Sequence, residues 1–234
     1  MTSRLQALCC EAEDPSRVAG FWAGLLGREL VEDAPGVLLP GDETQVGLRF
    51  VPGRPPRTGP ERVHLHMTSS EAVDQQQQVA TALQLGACHL DVGQRPEEGH
   101  VVLGDPEGNA FCVIEAGNVF LAGCGLLGEL ACEGTRGVGQ FWSAALGWPL
   151  VWDQDEETAV QSPRGGTKVA WGGPPVAAPR GRERQWFELV PSEGDQQTEI
   201  DRLVGLGATR LKVAASGSVS LADPDGNAFT LRPG

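Results

Sequence analysis

Asp105-Pro106-Glu107-Gly108-Asn109-Ala110-Phe111 returns as Asp223-Pro224-Asp225-Gly226-Asn227-Ala228-Phe229, 118 residues further along a chain of 234. A seven-residue signature repeated at half-length marks an internal duplication. Other landmarks recur in the same order. Phe21-Trp22 returns as Phe141-Trp142, Leu26-Gly27 as Leu146-Gly147, and Leu85-Gly86-Ala87 as Leu206-Gly207-Ala208. The duplication implies two tandem domains, residues 1–118 and 124–234.

Within each half the local signals repeat as well. Asp14-Pro15 supplies a helix cap followed by proline at the first helical position. Val18, Phe21, Trp22, Leu25 and Leu26 then form one apolar stripe at helical spacing, which ends at Gly27. Val138, Phe141, Trp142, Ala145 and Leu146 repeat it up to Gly147. Short extended segments follow, near 29–32, 37–39 and 45–51, then a strand at 62–68. A second helix is expected over about 70–85, with a Thr68…Glu71 capping box at its start. A hairpin closes the half, its two strands joined by the Asp-Pro-x-Gly-Asn turn. There proline fixes φ and glycine accepts a positive φ. Counted along the whole chain, this gives four βαβββ modules in an α+β fold.

Composition narrows the function. A net charge of −13 disfavours nucleic acid, whose phosphates need basic surface. No apolar run approaches the length of a membrane span. The 32 glycines and 17 prolines fall between apolar segments, as turns do. Residues 1–13 lack the layout of a signal peptide, and the six cysteines show no paired metal spacing. The expectation is therefore a cytoplasmic protein with reduced thiols.

The order of elements, with the Phe-Trp…Leu-Gly helix and the Asp-Pro-x-Gly-Asn hairpin, resembles the vicinal oxygen chelate superfamily. That group includes glyoxalase I, bleomycin-resistance proteins, extradiol dioxygenases and many glyoxalase-like proteins. The resemblance spans nearly the whole chain. It implies two glyoxalase-like domains, each of two βαβββ modules forming a curved, mostly antiparallel sheet around a cleft. In metal-using members, His, Gln or Glu side chains on the first and last strands of the modules hold a divalent metal. The resemblance places these positions at Ala7 (or Gln6), Leu48, His64 and Cys112 in one half, and at Leu127, Val169, Trp186 and Thr230 in the other. His64 is the lone plausible ligand among them. A catalytic metal normally takes about three protein ligands. No metal and no cofactor is therefore expected.

Strand alternation turns Leu65 and Met67 toward the helices and leaves His64 and His66 in the cleft. The same parity buries Phe187 and Leu189 and exposes Trp186 and Glu188, and Cys112 joins the cleft by the family register. Trp152, Trp171 and Trp186 have no counterpart in the first half, so they are candidates for a stacking surface, with Glu188 as a charged contact. The resulting expectation is a small-molecule-binding protein of the glyoxalase/bleomycin-resistance type. Its ligand would be aromatic or cationic, bound by His64, His66, Cys112, Trp152, Trp171, Trp186 and Glu188. A metal-dependent lyase, isomerase or dioxygenase using His64 is the alternative, and a non-catalytic scaffold is a third reading. Homodimerisation is left open.

Overall fold

A computed structural model describes residues 2–53, 61–95, 97–176 and 184–233. Four copies of one plan follow each other. The first is β1 (Ser3–Ala12), α1 (Pro15–Leu26), β2 (Val31–Asp33), β3 (Gly36–Leu39) and β4 (Gly47–Pro52); the second is β5 (Val63–Met67), α2 (Ala72–Gln84), β6 (Cys88–His89), β7 (Val101–Gly104) and β8 (Ala110–Val113). The third is β9 (Leu127–Cys132), α3 (Arg136–Leu146), β10 (Leu150–Gln154), β11 (Glu157–Gln161) and β12 (Lys168–Trp171); the fourth is β13 (Gln185–Pro191), α4 (Gln196–Gly205), β14 (Thr209–Val213), β15 (Val219–Ala222) and β16 (Ala228–Leu231).

The sheets are assembled from modules of different halves. One eight-stranded sheet has the order β14-β15-β16-β13-β1-β4-β3-β2, uniting the fourth module with the first. The other has the order β10-β11-β12-β9-β5-β8-β7-β6, uniting the third with the second. At each centre two opening strands run antiparallel, β1 on β13 and β5 on β9. Each sheet is thus a product of both halves, and so is any surface built on it. Apolar side chains from all four modules meet in one buried cluster on the helix side, including Leu8, Leu65, Leu130 and Leu189.

The repeated signatures are two parts of one joint within each half. Trp22 of α1 donates its indole N–H to Asp105 at 3.3 Å, and Trp142 of α3 donates to Asp223 at 3.1 Å. Phe111 and Phe229 pack edge-on against these tryptophans, with centroids 5.0 and 5.1 Å away. The same aspartates organise the turn: the backbone N–H of Asn109 and of Asn227 donates to Asp105 and Asp223, each at 2.9 Å. Gly108 and Gly226, at φ +75° and +85°, complete turns that other residues would strain. The variable residue works too. Glu107 accepts the backbone N–H of Asp14, and Asp225 accepts that of Thr135, so each hairpin holds the start of a helix. Sheets therefore tie the halves together, while helix–hairpin joints tie the modules inside each half.

One local expectation fails. The capping box at Thr68 and Glu71 does not form: Glu71 makes no side-chain cap, and the Thr68 hydroxyl donates to the Gly125 carbonyl. Asp74, inside the first turn, accepts from the Ser70 backbone N–H and hydroxyl instead. Elsewhere the caps are as read. Asp14 accepts from the Arg17 N–H at 3.0 Å, and Gly27 ends α1 at φ +65°.

Candidate functional site

Each sheet is covered by helices on one face, and its opposite face carries the polar side chains. Two β-bulges set which residues arrive there. The β1–β13 register shifts between Leu5 and Ala7, and the β5–β9 register shifts between His66 and Met67, so that Glu129 stands opposite His66 and Leu127 opposite Met67. A bulge adds one residue and reverses the facing of everything beyond it. Gly128 is the extra residue in β9. A Cβ there would lie 2.5 Å from the Thr68 methyl, so glycine lets the strands close up. Leu127, Leu48 and Val169 consequently point into the core, at most 1% exposed, and cannot serve as ligands. The residues facing away from the helices are their neighbours: Glu129, Arg49 and Lys168.

On the first sheet, four central strands present Cys9, Arg49, Glu188 and Thr230. They are adjacent by register: Cys9 pairs with Arg49, and Glu188 with Thr230. The guanidinium of Arg49, 1% exposed, bonds Glu188 at 3.0 Å and Asp33 at 2.8 Å. Arg232 reaches the same two carboxylates at 3.2 and 3.7 Å. Two guanidinium groups and two carboxylates thus neutralise each other on this floor. Burial alone would lower the Arg49 pKa, but the bond to Asp33 and the charge of Glu188 hold it above its ordinary value. The bond to Arg49 chiefly keeps Asp33 below its ordinary value. Cys9, buried beside Glu188, is pushed well up and stays a thiol.

On the second sheet, Glu129, Lys168, His66 and Cys112 meet; His66 and Cys112 correspond to Glu188 and Thr230, whereas Glu129 and Lys168 correspond to Ala7 and Gly47, two residues along their strands from Cys9 and Arg49. Register makes them neighbours: Lys168 pairs with Glu129, Glu129 with His66, and His66 with Cys112. The Nδ1 of His66 lies 2.7 Å from Glu129 Oε2. Desolvation pushes the ring toward neutrality, but hydrogen bonds to Cys112 and Glu129, with the Glu129 charge, outweigh it. They raise the pKa to about 9, so the ring is an imidazolium at neutral pH. His64, one step along β5, is lowered by burial and by the neighbouring His66.

The chain between the halves forms a wall over this second floor. Leu121 and Cys124 pack with Ile114, and Cys112 and Phe120 close the cluster. The Lys168 ammonium donates to the Phe120 carbonyl and sits 4.2 Å from the centre of its ring. Trp152 meets Phe120 edge-on at 5.9 Å and is 37% exposed at the rim.

The expected site residues are therefore divided. His64, His66, Cys112 and Trp152 belong to the second sheet, whereas Trp186 and Glu188 belong to the first. Trp171, 2% exposed, stacks on Trp142 at 6.5 Å and, with Trp186, borders a small cavity at the ends of the two sheets rather than the face that carries His66 and Glu129. The three tryptophans thus form no common stacking surface, because Trp152 stands apart from the other two, against Phe120. Glu188 already has two arginine partners and is no free contact for a cation. Sequence reading missed Glu129, Arg49, Lys168 and Phe120. Leu127 and Glu129 lie on either side of the bulge at Gly128, which leaves little trace in the sequence beyond that glycine.

Among the described residues, no group of three or more His, Cys, Asp or Glu side chains is arranged to hold a metal ion. In the first ring a guanidinium stands among the donors. In the second, His66 and Glu129 are turned onto each other, beside an ammonium. Neither donor set fits a divalent cation. No helix among the described residues is long and apolar enough to cross a membrane.

The family model of a glyoxalase-like domain matches twice, over residues 7–114 and 129–232. Among solved structures, glyoxalase I from Zea mays aligns with a TM-score of 0.63 at 13% identity, covering 98% of this chain and 92% of that one. A putative dioxygenase from Bacillus subtilis aligns with a TM-score of 0.61 at 13% identity, covering 97% and 84%. At such identities the likeness is one of fold. No curated protein matches the chain in sequence.

Proposed function

The chain belongs to the glyoxalase-like domain family, and we propose that within it this protein is a metal-independent binder of a small molecule, using the cleft floored by His66, Glu129 and Lys168. One observation carries the reading: on both sheets, a cation belonging to the chain stands among the polar side chains of the face turned away from the helices. On one floor it is Arg49, bonded to Glu188; on the other it is Lys168, beside Glu129 by register. A guanidinium bonded to Glu188 leaves that carboxylate no role as a ligand, and repulsion between like charges disfavours a second cation beside it.

The second floor has the features of a binding site. His66 and Lys168 offer charged donors, Phe120 and Trp152 offer aromatic surface, and the side chain of His66 is 22% exposed. Concave, partly apolar surface with a few convergent polar groups is the usual form of a small-ligand site. Donors and cations outnumber acceptors there, so the ligand favoured is a flat, neutral or anionic molecule carrying an acceptor oxygen. The cationic ligand expected from Trp186 and Glu188 loses its support, since Glu188 is neutralised within the protein.

A thermal-shift screen of aromatic carbonyl and carboxylate compounds tests this. A ligand at a hundredfold its Kd adds about 2.7 kcal/mol to native stability, or roughly 5–10 °C in Tm for a chain of this size. The shift should disappear in Lys168→Met and persist in Trp186→Ala. A shift abolished by Trp186→Ala and retained by Lys168→Met would move the site to the other sheet.

A further inference from the structure

Cys112, His66 and Glu129 stand side by side on three adjacent strands, β8, β5 and β9. Register sets His66 opposite both others, and Glu129 fixes its Nδ1 at 2.7 Å. A sulfur, an imidazolium that holds the sulfur's proton and can give it up, and a carboxylate orienting that ring form the sequence of groups that activates a nucleophile. Cys112, like Cys132, is only partly buried, whereas Cys9, Cys10 and Cys124 are buried. Resting on the binding reading above, we propose that Cys112 is a nucleophile that captures an α,β-unsaturated carbonyl compound, with His66 as its proton carrier and Glu129 as a positioning residue.

The step balances with the groups present. The pair reacts as Cys112 thiolate and His66 imidazolium, the ring already carrying the proton that the sulfur has given up, and a sulfur lone pair forms the bond to the β-carbon. The carbon–carbon π pair moves to the α-carbon and the carbonyl oxygen, and His66 returns the proton to the α-carbon. No bond to a leaving group breaks, and no oxidant, reductant or metal enters. Negative charge builds on the carbonyl oxygen during addition, and Lys168, beside Glu129 by register, is the neighbouring cation able to stabilise it. Phe120 supplies apolar surface for a conjugated, planar ligand. The reversed step releases the ligand unchanged, so the same chemistry serves reversible capture.

The other cysteines provide an internal control. Cys88 is exposed and far from any such arrangement, so it reports the intrinsic reactivity of a solvated thiol. Native protein is treated with cyclohex-2-en-1-one at pH 7, and the adduct at each cysteine is timed by peptide mass spectrometry. Cys112 should react at least tenfold faster than Cys88. His66→Gln and Glu129→Gln should each bring the Cys112 rate down toward that of Cys88 while leaving Cys88 unchanged, which separates loss of activation from loss of fold. A Cys112 rate no greater than that of Cys88 overturns the proposal, as does a fast rate indifferent to both variants. Cyclohexanone, which cannot be captured, distinguishes the two readings. Protection of Cys112 from iodoacetamide by cyclohexanone, without enone adduct, leaves the binding cleft standing and removes the nucleophile. Neither protection nor adduct removes both.

Discussion

The two clefts are built on the same order of four central strands, share the positions of Glu188 with His66 and of Thr230 with Cys112, and carry opposite arrangements of charge. On the first sheet, the charges are closed upon themselves: Arg49 and Arg232 face Asp33 and Glu188, and the central guanidinium is 1% exposed. On the second, one imidazolium–carboxylate pair and one ammonium lie under an aromatic wall, with the imidazole partly open. The difference teaches that a shared backbone fixes where side chains converge, while residue type decides whether the convergence is a strut or a site. A buried ion-pair network spends its polar groups on each other. A partly open dyad keeps some for a ligand.

The largest expected effect belongs to the closed cleft. Arg49→Met strands Glu188 and Asp33, and removing one partner of a buried pair typically costs about 3–5 kcal/mol. Lys168→Met should cost no more than about 1 kcal/mol, because its ammonium is less enclosed. Urea denaturation of the two variants makes the comparison, and equal losses would erase the distinction between strut and site.

The clefts should also fail at opposite ends of the pH scale. The His66 pKa is raised to about 9 in the fold, against about 6.5 when unfolded. Its stabilisation is therefore fully present below about pH 6.5 and is lost as pH rises through about 9, an effect on the order of 3 kcal/mol. Asp33 is lowered by Arg49, so its contribution is present above the ordinary carboxylate range and is lost as pH falls below it. Denaturation across pH 6–10 should show a downward slope in the native protein that is absent from His66→Gln. Identical slopes in the two proteins would mean that the His66–Glu129 pair is not formed.

How much of this was legible differs between fold and site. The repeated heptad and the Phe-Trp stripe led directly to the four modules, because turn chemistry and helical periodicity are local. Pairing between halves was not legible: β1 meets β13 through contacts between residues such as Cys9 and Trp186, and no local signal names a partner so distant in sequence. Parity placed His64, His66, Trp186 and Glu188 away from the core, since Leu65, Met67, Phe187 and Leu189 alternate with them, and the family resemblance added Cys112. The resemblance named Leu127, Leu48 and Val169, one or two residues from Glu129, Arg49 and Lys168; a bulge at Gly128 separates the first pair, and a one-residue step along a strand changes face in the others.

The helix–hairpin joint is the control that the two clefts lack, since both halves carry it alike. Trp22→Phe and Trp142→Phe each leave a buried aspartate short of one donor, and each should cost about 1–3 kcal/mol. Similar losses would set the asymmetry in the clefts alone. Smallest of all, Phe120→Ala should weaken a bound aromatic ligand by about 1 kcal/mol, measured by calorimetry, with little change in urea stability.

The central claim is that each ring is organised around a cation of the chain itself. Protein incubated with Zn²⁺, Ni²⁺, Mn²⁺ or Fe²⁺, passed through gel filtration and assayed by inductively coupled plasma mass spectrometry tests it most directly. The expected result is no stoichiometric metal in the native protein. One equivalent of metal per chain, retained through filtration and lost in His66→Ala or Glu188→Ala, would contradict it.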